Sequence, residues 1–153
     1  MDGAMRRILM TVAVVFCAPI LPLSAQAGSP DTDGVRRAAV DYLEGFYEGD
    51  STKLIRSIRP ELYKYGFDLP RGSTVYVGET MTWAEILTYA RQVKASGRPT
   101  PASAPREVLL LDVLDQTAAV KVTAWWGTDY LLLGRYDGRW MISHVLWQSL
   151  PKR

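Results

Sequence analysis

Cysteine and histidine are almost missing from this chain of 153 residues, which contains one of each, Cys17 and His144. Cys17 lies in an amino-terminal segment that we expect to be removed, so disulfides, thiol catalysis and cysteine metal sites are excluded for the mature protein. One histidine among scattered carboxylates, without HxxxH or HxH spacing, does not match the common ligand sets of protein metal sites. We therefore predict no metal and no cofactor, and we expect the fold to be stabilised by packing alone.

An excess of charge of either sign is also missing. The chain has 18 basic and 16 acidic residues, which gives a formal net charge of +2. No basic run or stripe follows the first ten residues, and a nucleic-acid-binding surface needs one. The composition therefore excludes nucleic acid as an expected partner.

The amino terminus has the pattern of a secretory signal peptide. Arg6 and Arg7 precede an apolar run at 8–16, which is too short to span a bilayer. The sequence SAQA at 24–27 then offers small residues at the first and third places before a cut after Ala27. An uncleaved membrane anchor is the alternative.

Cleavage there would leave residues 28–153 as a single domain. That length is enough to bury a core without disulfides. We expect this mature protein to be periplasmic or secreted and to have no membrane attachment after the signal peptide is cleaved.

Apolar residues at helical spacing predict three helices before residue 100. The first begins at Thr32 or Asp33 and ends at Gly49, and the second follows Asp50 and is stopped by Pro60. A capping box of Thr82 and Glu85 opens the third helix, which Gly97 ends. The stretches 62–67 and 74–79 have weaker strand patterns.

Residues 106–148 read as four strands joined by very short polar turns. We predict strands at 108–114, 119–126, 130–136 and 140–147, with turns near 115–117, at Gly127-Thr128 and at Asp137-Gly138. Turns this short leave no room for crossover helices, so the strands must run antiparallel.

Several of these strands are apolar on both faces, which means that something must cover each face. The helices can cover one. Leu131, Leu133 and Trp125 on the other face would form a larger apolar patch than soluble monomers usually expose. We therefore expect a homodimer that pairs through the outer face of the sheet.

This order of elements resembles the nuclear-transport-factor-2-like (NTF2-like) superfamily. The resemblance rests on the sequences FYEGD at 46–50, RPEL at 59–62 and YDGRWMISHVLW at 136–147. Within the superfamily, the stretch 120–147 is most similar to the lumazine-binding subgroup. The resemblance implies an α+β fold, in which three amino-terminal helices pack on a strongly curved, mostly antiparallel sheet and a pocket opens at the wide end of the cone.

The superfamily also contains ketosteroid isomerase, whose active site provides a test for catalysis. Tyr42 stands eight residues before Asp50 and so matches the isomerase tyrosine, but the position of the base falls on Gly66 and that of the oxyanion acid on Leu132. Asp68 is the nearest substitute for the missing base. The resemblance therefore does not support the isomerase reaction, and we favour a protein without catalytic activity.

Aromatic residues are plentiful, with five tryptophans, eight tyrosines and three phenylalanines. If Val120, Val122 and Ala124 mark the core face of their strand, Trp126 points inwards and Trp125 outwards. Rings around a dry pocket suit a small apolar or aromatic molecule such as a pterin or a flavin precursor. The predicted ligand-binding residues are Tyr42, Phe46, Trp126, Tyr130 and His144.

Two other functions stay open. An isomerase, dehydratase or cyclase would use His144 or Asp68 as the base, Tyr42 as a hydrogen-bond donor and Asp129 as the acid, and these groups would have to meet in one cavity. A structural or interaction module would instead fill its cone with its own side chains and act through its dimer. His144 also suits a packing role in the core or at the dimer interface.

Overall fold

The helices and the sheet lie on opposite sides of a shared core in a computed structural model that describes residues 30–150. The predicted signal peptide lies outside the described residues. Within 30–150 the chain forms three helices and six strands, which confirms the expected α+β class. The helices are α1 (Pro30–Glu48), α2 (Ser51–Ser57) and α3 (Trp83–Ser96), and the strands are β1 (Ile58–Asp68), β2 (Val77–Thr80), β3 (Glu107–Val113), β4 (Thr117–Ala124), β5 (Gly127–Tyr136) and β6 (Arg139–Ser149). No helix in this range is long and apolar enough to cross a membrane.

The six strands form one mixed, open sheet in the order β2-β1-β6-β5-β4-β3. The four strands β3 to β6 are the predicted antiparallel meander. Strand β1 pairs with β2 in antiparallel fashion and with β6 in parallel, where Tyr63 lies beside His144. The parallel pairing places β1, which follows α2 directly, against the last strand of the meander.

Helix α1 lies across the inner face of the sheet because one of its stripes is apolar. Val35, Ala39 and Tyr42 lie on that stripe at helical spacing and are completely buried. Its carboxyl end is joined to α2 through Asp50, whose side chain accepts hydrogen bonds from the backbone of Thr52 and Lys53. The core therefore lies between α1 and the inner faces of the strands.

The predicted capping box of α3 is present. The Thr82 side chain accepts from the Glu85 backbone, and the Glu85 carboxylate accepts from the Thr82 backbone. Gly97 ends the helix in the left-handed conformation at φ 63°.

The predicted end of α2 at Pro60 is wrong, since the helix ends at Ser57 and Pro60 lies inside β1. The register between β1 and β6 is irregular between Ile58 and Tyr63. A proline, which has no backbone N–H, is tolerated in a strand where the hydrogen-bond ladder is interrupted.

The turn between β4 and β5 is also displaced from its predicted place. Trp125 and Trp126 form a two-residue turn, and Gly127 already pairs with Ala124 as the first residue of β5. A Cβ atom at Gly127 would lie 1.9 Å from the Gln148 carbonyl oxygen of β6. This glycine therefore permits the close approach of two strands and does not form the turn.

The expectation that Leu131, Leu133 and Trp125 lie together on the outer face is wrong. Trp125 lies in the turn between β4 and β5 and borders a cavity between the helices and the sheet. Leu131 and Leu133 are buried against the helices, and the exposed residues between and before them are Leu132 and Tyr130. Successive side chains alternate across a strand, and Asp129 points inwards, so the leucines two and four residues later must do the same.

Candidate ligand-binding pocket

A cavity of about 290 Å³ lies between α1, α3 and the inner face of the sheet. Each neighbouring element contributes at least one side chain to its wall, and most of these side chains are aromatic. The lining residues are Tyr42, Phe46, Lys64, Glu79, Met81, Tyr89, Trp125, Trp126 and Trp147.

Phe46 of α1 is the centre of the aromatic wall. Its ring centroid lies 5.0 Å from that of Tyr42, 5.6 Å from that of Tyr89 and 5.6 Å from that of Trp126. These distances are those of direct edge-to-face or tilted ring contacts. These contacts hold α1, α3 and the turn between β4 and β5 around the same apolar surface.

A chain of three buried polar side chains crosses the base of the pocket. Lys64 Nζ donates to the Tyr42 hydroxyl oxygen over 2.8 Å, and this hydroxyl donates to Asp129 Oδ2 over 2.8 Å. The second carboxylate oxygen, Oδ1, accepts from the indole N–H of Trp126 over 3.0 Å. We call Lys64, Tyr42 and Asp129 the polar chain.

Burial changes the proton affinities of the polar chain. Tyr42 and Asp129 are fully buried, and Lys64 is 7% exposed. Burial, reinforced by the Asp129 carboxylate, raises the pKa of Tyr42 well above its usual value. Burial lowers the pKa of Lys64, although Asp129 and Glu79 act in the opposite direction. The phenol thus stays protonated, and the amine loses its proton more easily than that of a surface lysine.

Lys64 reaches the pocket because the face of β1 that carries it points inwards, and the face that carries aromatic rings points outwards. Leu62, Lys64 and Gly66 point towards the helices, while the rings of Tyr63 and Phe67 are exposed. The sequence analysis missed this lysine, because the face of β1 that carries Tyr63 and Phe67 is the more hydrophobic one and is nevertheless exposed.

Three aromatic rings surround the amine of Lys64. Its Nζ atom lies 5.5 Å from the ring centroid of Tyr42, 5.7 Å from that of Phe46 and 5.5 Å from that of Trp147. At these distances ring faces attract a cation. The rings thus offset part of the cost of placing an amine in an apolar cavity.

The absence of a side chain at Gly66 leaves room for the indole ring of Trp147 in the pocket wall. A Cβ atom at this position would lie 2.0 Å from Trp147 Nε1. The position that would carry the isomerase base therefore supports an indole ring instead, which agrees with the conclusion drawn from its sequence.

The profile of a protein family described as "Putative lumazine-binding" matches residues 30–148. The chain belongs to this family. Its match extends over all the elements described above, from α1 to β6. No curated protein matches the sequence.

Solved structures with the same fold come from several bacteria. An NTF2-like protein of unknown function from Shewanella baltica OS155 is 16% identical with a TM-score of 0.55, and the match covers 78% of this chain and 94% of that one. One from Methylobacillus flagellatus KT is 17% identical with a TM-score of 0.56, covering 78% and 92%. An NTF2-like protein from Cytophaga hutchinsonii is 15% identical with a TM-score of 0.52, covering 77% and 97%. These similarities establish the NTF2-like fold.

Within this lumazine-binding-family fold, the predicted site residues separate into two groups. Tyr42, Phe46 and Trp126 line the pocket, and Asp129 lies behind it. Tyr130 does not reach the pocket, because it follows the inward-facing Asp129 on the strand and is exposed on the outer face.

His144 also lies on the outer face. It is exposed, its ring centroid lies 6.4 Å from that of the exposed Tyr63, and its Nδ1 atom is 3.0 Å from Ser143 Oγ. Asp68 pairs with Val77 near the end of β1 and is not among the lining residues. The convergence of His144 or Asp68 with Tyr42, which the enzyme alternative requires, is therefore not present.

No group of three or more His, Cys, Asp or Glu side chains within residues 30–150 is arranged to hold a metal ion. The carboxylate behind the pocket, Asp129, is instead held by two hydrogen-bond donors.

Replacing Tyr42 by Phe should destabilise the protein by about 1–3 kcal/mol, because buried polar atoms of Asp129 and Lys64 would lose their shared partner. Urea unfolding monitored by circular dichroism measures this change. Tyr130→Phe is the matched control, since it removes an exposed hydroxyl from the residue next to Asp129, and it should change stability by less than about 0.5 kcal/mol. Equal effects of the two substitutions would contradict a structural role for the polar chain.

Proposed function

We propose that this protein is an exported, non-catalytic domain that binds a small, flat aromatic molecule in the pocket between α1, α3 and the sheet. The observation that carries the proposal is a cavity with ring walls and one amine, Lys64, at its base. Small-molecule sites have this composition, in which apolar walls supply affinity and a few polar groups fix orientation. The volume of about 290 Å³ suits a molecule of one or two fused rings.

Lys64 indicates which chemical group the edge of the ligand carries. An ammonium group has three N–H donors, and within residues 30–150 one of them has a partner, the Tyr42 hydroxyl. The remaining donors favour a ligand with a carbonyl or acidic oxygen at one edge. The name of the family refers to lumazine, a flat bicyclic heteroaromatic molecule with carbonyl oxygens, and this chemistry is consistent with that name.

The geometry supports binding better than the two alternatives. The enzyme alternative needs Asp129 as an acid and His144 or Asp68 as a base in one cavity, but both oxygens of Asp129 already accept hydrogen bonds, and His144 lies on the other face of the sheet. A module with a filled cone would leave no cavity beside Phe46.

Binding is tested by titrating planar aromatic molecules, including lumazine and flavins, against the fluorescence of the pocket tryptophans. We expect quenching and a rise in melting temperature for ligands with a carbonyl edge. Met81→Trp, which places a larger side chain in the wall, should weaken binding by at least about tenfold, or about 1.4 kcal/mol. Val75→Trp adds the same ring at an exposed position outside the lining and should leave binding unchanged.

Two results would contradict the binding proposal. One is the absence of quenching and of a thermal shift across the whole panel. The other is undiminished binding to a folded Met81→Trp variant, because the ligand would then occupy a different site.

We infer export from the residues before the fold. The apolar run at 8–16 and the sequence SAQA at 24–27 support cleavage after Ala27 and a periplasmic or extracellular location. Expression in a bacterial host followed by amino-terminal sequencing should give a chain that begins at Gly28. A bulky residue in the place of Ala27, as in Ala27→Tyr, should block this cut, and an unprocessed wild-type chain in the cytoplasm would contradict the inference.

We further propose that a second copy of the chain covers the outer face of β1, β6 and β5. Four large side chains on these adjacent strands are each about half exposed: Tyr63 at 58%, Tyr130 at 48%, Leu132 at 52% and Leu146 at 51%. Tyr130 pairs with Leu146, and Leu132 pairs with His144, which in turn pairs with Tyr63. The patch is thus continuous across three strands, and His144 lies within it. Self-association would cover it symmetrically.

Sedimentation velocity should detect a dimer at micromolar concentration. Leu132→Lys should convert it to a monomer, because a second copy would have to bury two charges at the centre of the patch. Ile55→Lys is the matched control, since Ile55 has a similar exposure, 53%, but lies on α2. A monomeric wild-type protein, or a Leu132→Lys dimer as stable as the wild type, would contradict this interface.

A further inference from the structure

The amine of Lys64 is almost completely removed from water. Its side chain is 7% exposed, and ring centroids of Tyr42, Phe46 and Trp147 lie within 5.7 Å of Nζ. The desolvation of an ammonium group is costly, and burial lowers the pKa of this lysine. A desolvated lysine that can lose its proton is a nucleophile.

The polar chain fixes the position of this amine. Tyr42 accepts a hydrogen bond from Lys64 and donates one to Asp129, each over 2.8 Å. These two hydrogen bonds hold Nζ at the base of the cavity, where the neutral amine that remains after loss of a proton to water can attack a bound molecule.

We propose that Lys64 captures an aromatic aldehyde or ketone in this pocket as a Schiff base. The proposal rests on the ligand-binding function above and names the reactive group of the ligand. Aromatic walls on three sides of Nζ select a carbonyl attached to a ring. A protonated imine formed there keeps the positive charge of the original ammonium, which the ring faces and the Asp129 carboxylate stabilise.

The reaction balances with the groups present. The Nζ lone pair forms a bond to the carbonyl carbon, the electron pair of the C=O bond moves to oxygen, and a proton from nitrogen completes a carbinolamine. This intermediate loses its oxygen as water when the C=N bond forms. A proton from water then binds the imine nitrogen. In sum, an ammonium and a carbonyl compound give a protonated imine and water.

Two other lysines of the described part of the chain, Lys53 and Lys94, lack these surroundings. Lys53 donates to Glu44 over 2.6 Å and to Glu48 over 2.7 Å, and these two carboxylates raise its pKa. The side chain of Lys94 is exposed on α3. Lys53 and Lys94 therefore serve as internal references for the reactivity of Lys64 in the same molecule.

The test uses the mature protein, naphthaldehyde as the probe and sodium cyanoborohydride to fix any imine as a stable amine. Peptide mass mapping over time gives the labelling rate of each lysine. At neutral pH we expect Lys64 to be labelled at least about tenfold faster than Lys94, because a larger fraction of its amine is neutral. The Lys64 rate should also level off at a lower pH than the Lys94 rate.

Two controls separate covalent capture from binding. Naphthalene without the aldehyde should quench tryptophan fluorescence through binding alone. Lys64→Arg keeps a cation but cannot form an imine, so its labelling should be limited to the slow surface sites. The labelling rates and the naphthalene quenching of the wild-type protein decide the question even if the Lys64→Arg variant fails to fold.

Binding of naphthalene together with preferential labelling of Lys64 supports the proposal. Binding of naphthalene with labelling spread evenly over the lysines, or with Lys64 unlabelled, overturns it and leaves the ligand-binding function standing. If neither compound binds and Lys64 stays unlabelled, the Schiff-base proposal fails, and the binding function fails with it when the whole panel of planar aromatic molecules also gives no quenching and no thermal shift.

Discussion

The hydrogen bond between Tyr42 and Asp129 determines how the helical layer and the sheet fit together. It joins the middle of α1 to β5 across 87 positions of sequence, in a place that excludes water from both groups. A carboxylate can be buried there because Tyr42 and Trp126 each donate to one of its oxygens. Its inward direction also fixes which residues of β5 face the core, since the strand alternates from that point on.

The same hydrogen bond gives the pocket its mixed character. The Tyr42 hydroxyl provides an acceptor for Lys64, which offsets part of the cost of placing an amine between aromatic rings. An opposite charge lies one side chain further on, at Asp129. The cavity therefore combines apolar walls with the amine of Lys64, whose positive charge is balanced by the Asp129 carboxylate. This combination favours aromatic ligands with a polar edge.

Sequence patterns could predict the fold largely because its signals are local. The Asp-Gly turn, the capping box of α3 and the short connections after residue 106 each depend on neighbouring residues, and the resemblance to a known superfamily supplied the arrangement of the layers. The position of Lys64 could not be predicted in the same way. Its strand offers two faces, one with Tyr63, Tyr65 and Phe67 and one with Leu62 and Gly66, and the more hydrophobic face is the exposed one. The contact that holds the lysine inside comes from Tyr42, a residue of another element.

Tyr47 has a further consequence, for the route by which a molecule could reach the cavity. Its hydroxyl donates to the Pro105 carbonyl oxygen and accepts from the backbone N–H of Trp125, so it fastens both the proline-containing loop and the tryptophan turn to α1. On the opposite rim, β2 is a four-residue edge strand whose residues are all exposed, and one of them, Glu79, borders the cavity. The rim next to Tyr47 is thus tied to α1, and a molecule that approaches the cavity past β2 would meet the carboxylate of Glu79.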